Sequence, residues 1–226
     1  HPYARYSGPL ICLVLLWMMR GKKLRIFISV CLFEGGLGVV AWILGWLSGC
    51  SPLTTIEFTT MSFGWGVLGT LPLILFLLLL ERPRWAAFMK IRRVVQELLV
   101  PLFHEFSIWQ LFCVALLAGI GEELFFRGFI QGGLAILLIQ FDLPGASLTA
   151  LFLASALFGV MHPITWTYAL LCTLAGLYLG AIWLWTGNLL VPILIHAIYD
   201  FFALCYLLRK SHRNPILNLD NAATEV

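Results

Sequence analysis

The sequence predicts an all-α fold, a polytopic bundle of about seven or eight transmembrane helices. Three observations carry that expectation. Hydrophobic residues make up 61% of the 226-residue chain and charged residues 11%, with a mean hydropathy of +0.96. A water-soluble globule has about 45–50% apolar and about 25% charged residues. Several stretches approach the roughly 20 apolar residues that cross a bilayer. Finally, twelve of the fourteen basic residues collect in three clusters that flank such stretches.

Taken in order, Leu10–Met19, extended back to Tyr6, is the first candidate span and Ile26–Gly49 the second. Arg20, Lys22, Lys23 and Arg25 separate them as a predicted loop. Ser62–Leu80 is the third span. Glu81–Glu105 interleaves charges with Trp85, Phe88, Met89, Ile91, Val94 and Leu98, the pattern of an amphipathic connector lying at the headgroups. Phe106–Phe141 is apolar but interrupted by Glu122, Glu123 and Arg127. It is too long for one straight helix and barely long enough for two, so one bent or partly re-entrant crossing is expected. Ser147–Met161, Trp166–Thr186 and Leu189–Leu208 complete the set, with Asn188 expected to cap the last helix and Pro192 tolerated in its first turn.

The positive-inside rule puts the three basic clusters on the cytoplasmic side. They are Arg20–Arg25, Arg82–Arg93 and Arg209–Arg213, whereas Ser48–Ser62 and Phe141–Ser147 contain no Lys or Arg. This arithmetic predicts seven net crossings with the N-terminus outside, eight being the alternative. The expected organisation is an N-terminal unit (1–105) of three spans plus connector, a core (106–208) and a polar cytoplasmic tail (209–226). The site of residence is an integral membrane: the plasma (inner) membrane if bacterial, the endoplasmic reticulum if eukaryotic. Membrane lipid is the constant partner. A net charge of only +3, already accounted for by topology, argues against nucleic acid. The six cysteines are scattered singly, without a CxxC pair, and read as small buried hydrophobes.

Between Phe106 and Leu208 the acids, histidines and arginine are Glu122, Glu123, Arg127, Asp142, His162, His196 and Asp200. Asp142 sits in a turn beside Pro144 and Gly145 and needs no further account. Each of the others would cost about 2.5–3.5 kcal/mol or more facing lipid, so they face inward and satisfy one another. Glu123 and Arg127, four apart, share a helix face and pair. Glu122 points about 100° away and is left free. Phe158 and His162 are also four apart, with Pro163 ending the helix, and so are His196 and Asp200. Such a set suits hydrolysis by general-base activation of water, with one imidazole available to an oxyanion. No GxSxG elbow supports a serine nucleophile. Bland readings exist for each: a structural ion pair for Glu123–Arg127, an interhelical hydrogen bond for Glu122, a helix-end histidine for His162 and a structural pair for His196–Asp200. Phe158 reads as core and Glu34 as an interhelical or pore-lining contact. His104 and Glu105 read as solvated, and Gly176 with Gly180 as a close-packing pair.

These spacings resemble the CAAX protease and bacteriocin-processing (CPBP, or Abi) family of intramembrane glutamate proteases, and are similar to prenyl-protein-processing (type II CAAX) endopeptidases. That family carries EExxxR, FxxxH and HxxxN/D motifs, matched here by Glu122-Glu123-x-x-x-Arg127, Phe158-x-x-x-His162 and His196-x-x-x-Asp200. The resemblance implies that Glu122 and His162 activate water, that Glu123 and Arg127 orient them, and that His196 helps form an oxyanion hole with its partner four residues on. The prenyl branch has Asn where this chain has Asp200. An ionised Asp cannot donate to an oxyanion, so Asp200 is expected to hold His196 in its tautomer or charge. The implied substrate is a membrane-embedded or lipid-anchored protein or peptide. No cofactor is expected. Zinc at Glu122, His162 and His196 is the minority alternative, since no HExxH is present. Among non-enzymes, a membrane scaffold or immunity protein of the same fold is the main competitor. A proton-coupled transporter ranks below it, because no internal repeat is visible.

Overall fold

The computed structural model describes residues 9–80 and 86–213, and the described residues are helical with no strand. The elements are α1 (Pro9–Leu47), α2 (Thr60–Leu80), α3 (Ala86–Val94), α4 (Val100–Phe103), α5 (Ile108–Glu122), α6 (Gly132–Gln140), α7 (Ala146–Val160), α8 (Trp166–Thr186) and α9 (Leu190–Arg213). A short 3₁₀ turn lies at Pro52–Thr55, and π-helical stretches occupy Val95–Leu99 and Glu123–Gln131.

Five helical runs among the described residues are long and apolar enough to cross a membrane: Gly21–Leu47, Thr60–Leu79, Ile108–Gln140, Trp166–Thr186 and Leu190–Ser211. Ala146–Val160 is a shorter apolar helix. The described residues do not reach the expected total of seven or eight, and the main difference lies at the start. The predicted loop at Arg20–Arg25 is absent, because α1 runs without a break through those residues. Charge density marks a membrane boundary, but Lys, Arg, Leu and Met are all good helix formers, and Gly21 alone does not stop a helix. At the other end, α9 continues to Arg213, so residues 209–213 are helix rather than tail. The remainder of the expected tail, 214–226, lies outside the described residues, as do 81–85 of the connector.

Within the Phe106–Phe141 region, Ile108–Gln140 is one continuous helical run. Ser107 and Gln110 form a reciprocal capping box that starts α5. The π-helical stretch then carries the chain into α6 without a turn. Asn188 caps α9, its Oδ1 accepting from the Leu190 amide at 2.9 Å. The same side chain donates to the Glu57 carbonyl at 2.7 Å and to Ser62 Oγ at 2.8 Å, tying the start of α9 to the start of α2 and the residue Glu57 ahead of it.

Burial is inverted relative to a soluble protein. Leu32, Phe33, Leu75, Phe152 and Trp185 are exposed, whereas Glu122, Glu123, Arg127, Gln131, Ser155 and His196 are buried. Lipid solvates the first group, and helix–helix contacts must satisfy the second. The α5 helix packs between α1 and α9, α9 packs in turn on α2, and α7 pairs with α8. Glycines permit this closeness. A Cβ on Gly176 would reach Ser155 and Arg127, and one on Gly180 would run into Gln131 and Leu151, in line with the small-residue pair read from the sequence. The five described cysteines are unbridged and only half-buried, less enclosed than the sequence suggests.

Candidate active site

Three motifs from three helical elements meet in one place. The π-helical stretch supplies Glu123 and Arg127 directly after Glu122, which ends α5. The carboxylate Oε1 of Glu123 accepts from Arg127 Nη1 at 2.8 Å, and neither side chain is more than 2% exposed. The same Oε1 accepts from His196 Nδ1 at 2.7 Å. A carboxylate beside a guanidinium only accepts, so Nδ1 of His196 carries a hydrogen. His196 Nε2 then points away from Glu123, 3.8 Å from Glu122 Oε2 and 3.4 Å from Asp200 Oδ2.

His162 sits where α7 ends, and its Nδ1 donates to the Phe158 carbonyl at 2.7 Å. Because a carbonyl can only accept, that bond leaves Nε2 as the free nitrogen of the neutral ring. Nε2 lies 3.9 Å from Glu122 Oε1, too far for a direct hydrogen bond. Glu122 Oε2 is buried and makes no hydrogen bond. The first glutamate of the pair is therefore unengaged, between two imidazoles.

Phe158 is buried at the centre of this arrangement. Its ring lies 4.6 Å from the His162 ring and 6.2 Å from that of His196, and Arg127 stacks over it with Cζ 4.4 Å from the centroid. Cation–π contact thus adds to core packing as its role. Phe126 meets Phe158 edge-on at 5.0 Å.

All six sequence-predicted site residues come together: Glu122, Glu123, Arg127, His162, His196 and Asp200. Asp200 meets His196 at Nε2, and Glu123 holds the same ring at Nδ1, a partnership the sequence reading did not include. Sequence reasoning also passes over Gln131 and Ser155, whose Oε1 and Oγ are buried without hydrogen-bond partners. Their only signal is polarity within an apolar helix. His104 and Glu105 stand apart, partly exposed, as expected.

Fold and site together define a polytopic helical membrane protein with a carboxylate–imidazole cluster buried among its helices. Residues 104–202 match the family described as Type II CAAX prenyl endopeptidase Rce1-like, the group to which the three motifs point. The matched segment contains the entire site and leaves α1 and α2 outside. No curated protein and no solved structure matches the chain. The activity implied by the matched family is CAAX-type intramembrane proteolysis.

Proposed function

We propose that the chain is an intramembrane endopeptidase that hydrolyses a peptide bond in a membrane-embedded or lipid-anchored protein or peptide. The observation that carries this reading is the 3.9 Å gap between Glu122 Oε1 and His162 Nε2. A water oxygen placed about 2.8 Å from each would bridge them. Glu122 or the free nitrogen of His162 takes its proton, and the water oxygen attacks the substrate carbonyl carbon. The carbonyl oxygen becomes an oxyanion that accepts from a protonated His196 Nε2, held in orientation by Glu123. As the C–N bond breaks, the proton passes to the leaving nitrogen, giving a carboxylate and an amine. Asp200 engages Nε2 before substrate arrives and contributes its charge afterwards. The scheme balances without a metal ion, and among the described residues no group of three His, Cys, Asp or Glu side chains is arranged to hold one.

The membrane arrangement follows from counting α7 as a crossing. Six crossings put the start of Gly21–Leu47, the α3 region and the end of α9 on one side, which gathers all three basic clusters there. At about 1.5 Å per residue, α7 is about 22 Å long, short of a hydrocarbon core of about 30 Å. The turn after it, with His162 and Pro163, is then sunk below the cytoplasmic surface. That depression gives water a route to His162, whose side chain is 25% exposed.

The test compares new peptide termini in membranes from cells making wild-type protein or Glu122→Gln at equal abundance. Cleavage products present only with wild type support the reading and identify the substrate. Identical profiles, with the cellular role intact in the variant, favour the scaffold.

A further inference from the structure

The α1 helix lies outside the matched segment, yet it brings a fourth carboxyl to the site. Its inward stripe runs Phe27, Cys31, Glu34, Gly38, Ala41 and Gly45, alternating steps of four and three that keep one face of a helix on its neighbour. Leu32, Phe33, Val39 and Val40, on the other side, are exposed. Phe27 and Cys31 pack into the cluster around Leu111 and Val114, and Ala41 is fully buried. The backbone carbonyl of Glu34 lies where a Cβ on Gly121 would sit, and Gly38 is flush with Gly121 and Leu124. Glu34 is therefore carried to the residue immediately before Glu122. Its Oε2 is buried without a hydrogen-bond partner. Glu122 Oε2, one residue beyond that contact, is likewise buried without a partner.

Charge counting shows why this matters. Fully ionised, the site would hold four carboxylates, Glu34, Glu122, Glu123 and Asp200. With His162 in the neutral form described above, Arg127 and a doubly protonated His196 would supply two cations. Glu123 is committed to Arg127 and His196 Nδ1, so the excess falls on Glu34, Glu122 and Asp200. The other titratable side chains around these three are His162 at the end of α7, Cys31 on α1, Tyr168 and Cys172 on α8 and Tyr199 on α9, and a thiol or phenol supplies no positive charge. Carboxylates sharing a poorly solvated site cannot all ionise together.

We propose that Glu34 is a positioning residue of the active centre, which shares one proton with Glu122 and so governs when Glu122 is free to act as the base. The role rests on the protease reading for its catalytic consequence, but the shared proton does not. When the proton resides on Glu34, Glu122 is a carboxylate and the site is competent. When it resides on Glu122, the site is idle. No atom is gained or lost in the exchange.

Infrared titration of the purified full chain in lipid vesicles reads the proton directly through the protonated-carboxyl stretch. Wild type is expected to retain such a band at neutral pH, and Glu34→Gln to lose it. Glu34→Asp, which keeps the acid, should retain it. An unchanged band in Glu34→Gln overturns the proposal whether or not the protein turns over any substrate. With a cleaved substrate in hand, the acid limb of the kcat/KM profile should extend about one pH unit lower in Glu34→Gln. It should stay in place in Glu34→Asp. A loss of rate with the limb unmoved would mark Glu34 as merely structural. Absence of turnover in wild type, with the band behaving as predicted, would reject the protease reading alone.

Discussion

Glu123 Oε1 accepts from His196 Nδ1 at 2.7 Å while holding Arg127 through the same oxygen at 2.8 Å. One buried oxygen thus joins the first motif to the third. It fixes the imidazole so that Nε2 faces Glu122 and Asp200, and it leaves Glu122 free of the arginine. The two adjacent glutamates consequently differ in their engagements, although they are the same residue type.

If Nε2 of His196 serves the oxyanion as proposed, His196→Ala should lower kcat by about 10²–10³-fold with little change in KM. Asp200→Asn should cost less than about tenfold, since Asn accepts from Nε2 and can also donate to an oxyanion. Steady-state kinetics on the two variants checks the order. A larger loss in Asp200→Asn than in His196→Ala would reverse the assignment.

Arg127→Ala leaves the Glu123 carboxylate buried with its principal countercharge gone and empties the face of Phe158. A loss of about 3–5 kcal/mol in stability is expected, the scale for breaking a buried pair from one side. Unfolding in mild detergent measures it. Arg127→Lys should recover only part, because an ammonium lacks the planar stack on Phe158.

The contact of α1 with α5 predicts a contrast between two glycines. Gly121→Ala drives a methyl into the Glu34 carbonyl and should destabilise by about 1–3 kcal/mol, with turnover reduced as α1 is pushed away. Gly133→Ala meets nothing within 4 Å and, in a helix, should be neutral or stabilising by up to about 1 kcal/mol. Thermal denaturation of both variants in the same vesicles provides the comparison.

How much of this is legible in the sequence depends on the range of the interaction. The membrane class follows from composition, and the Glu123–Arg127 pair from a four-residue step that any helical turn preserves closely enough. Ser62 and Glu57 meeting Asn188, or Glu123 meeting His196, lie 126, 131 and 73 positions apart, and no local period records them. The π-helical turn at Glu123–Gln131 is equally silent, since it changes which backbone groups pair and leaves the hydropathy pattern untouched. Charge misleads at Arg20–Arg25, where a basic cluster reads as a loop although the backbone stays helical. Glu34 is visible as an acid in an apolar run, but its place beside Glu122 emerges only once Gly121 and Gly38 let two backbones touch.

The central claim is that Glu122 and His162 act together on one water. The most direct measurement is kcat for wild type, Glu122→Gln, His162→Ala and the double variant, purified into vesicles, each with and without a chelator. Each single variant should fall by about 10²–10⁴-fold. The double variant should fall little further, because the two residues form one unit. Chelator should leave wild type unchanged. Full turnover in Glu122→Gln, or losses that multiply in the double variant, would contradict the account.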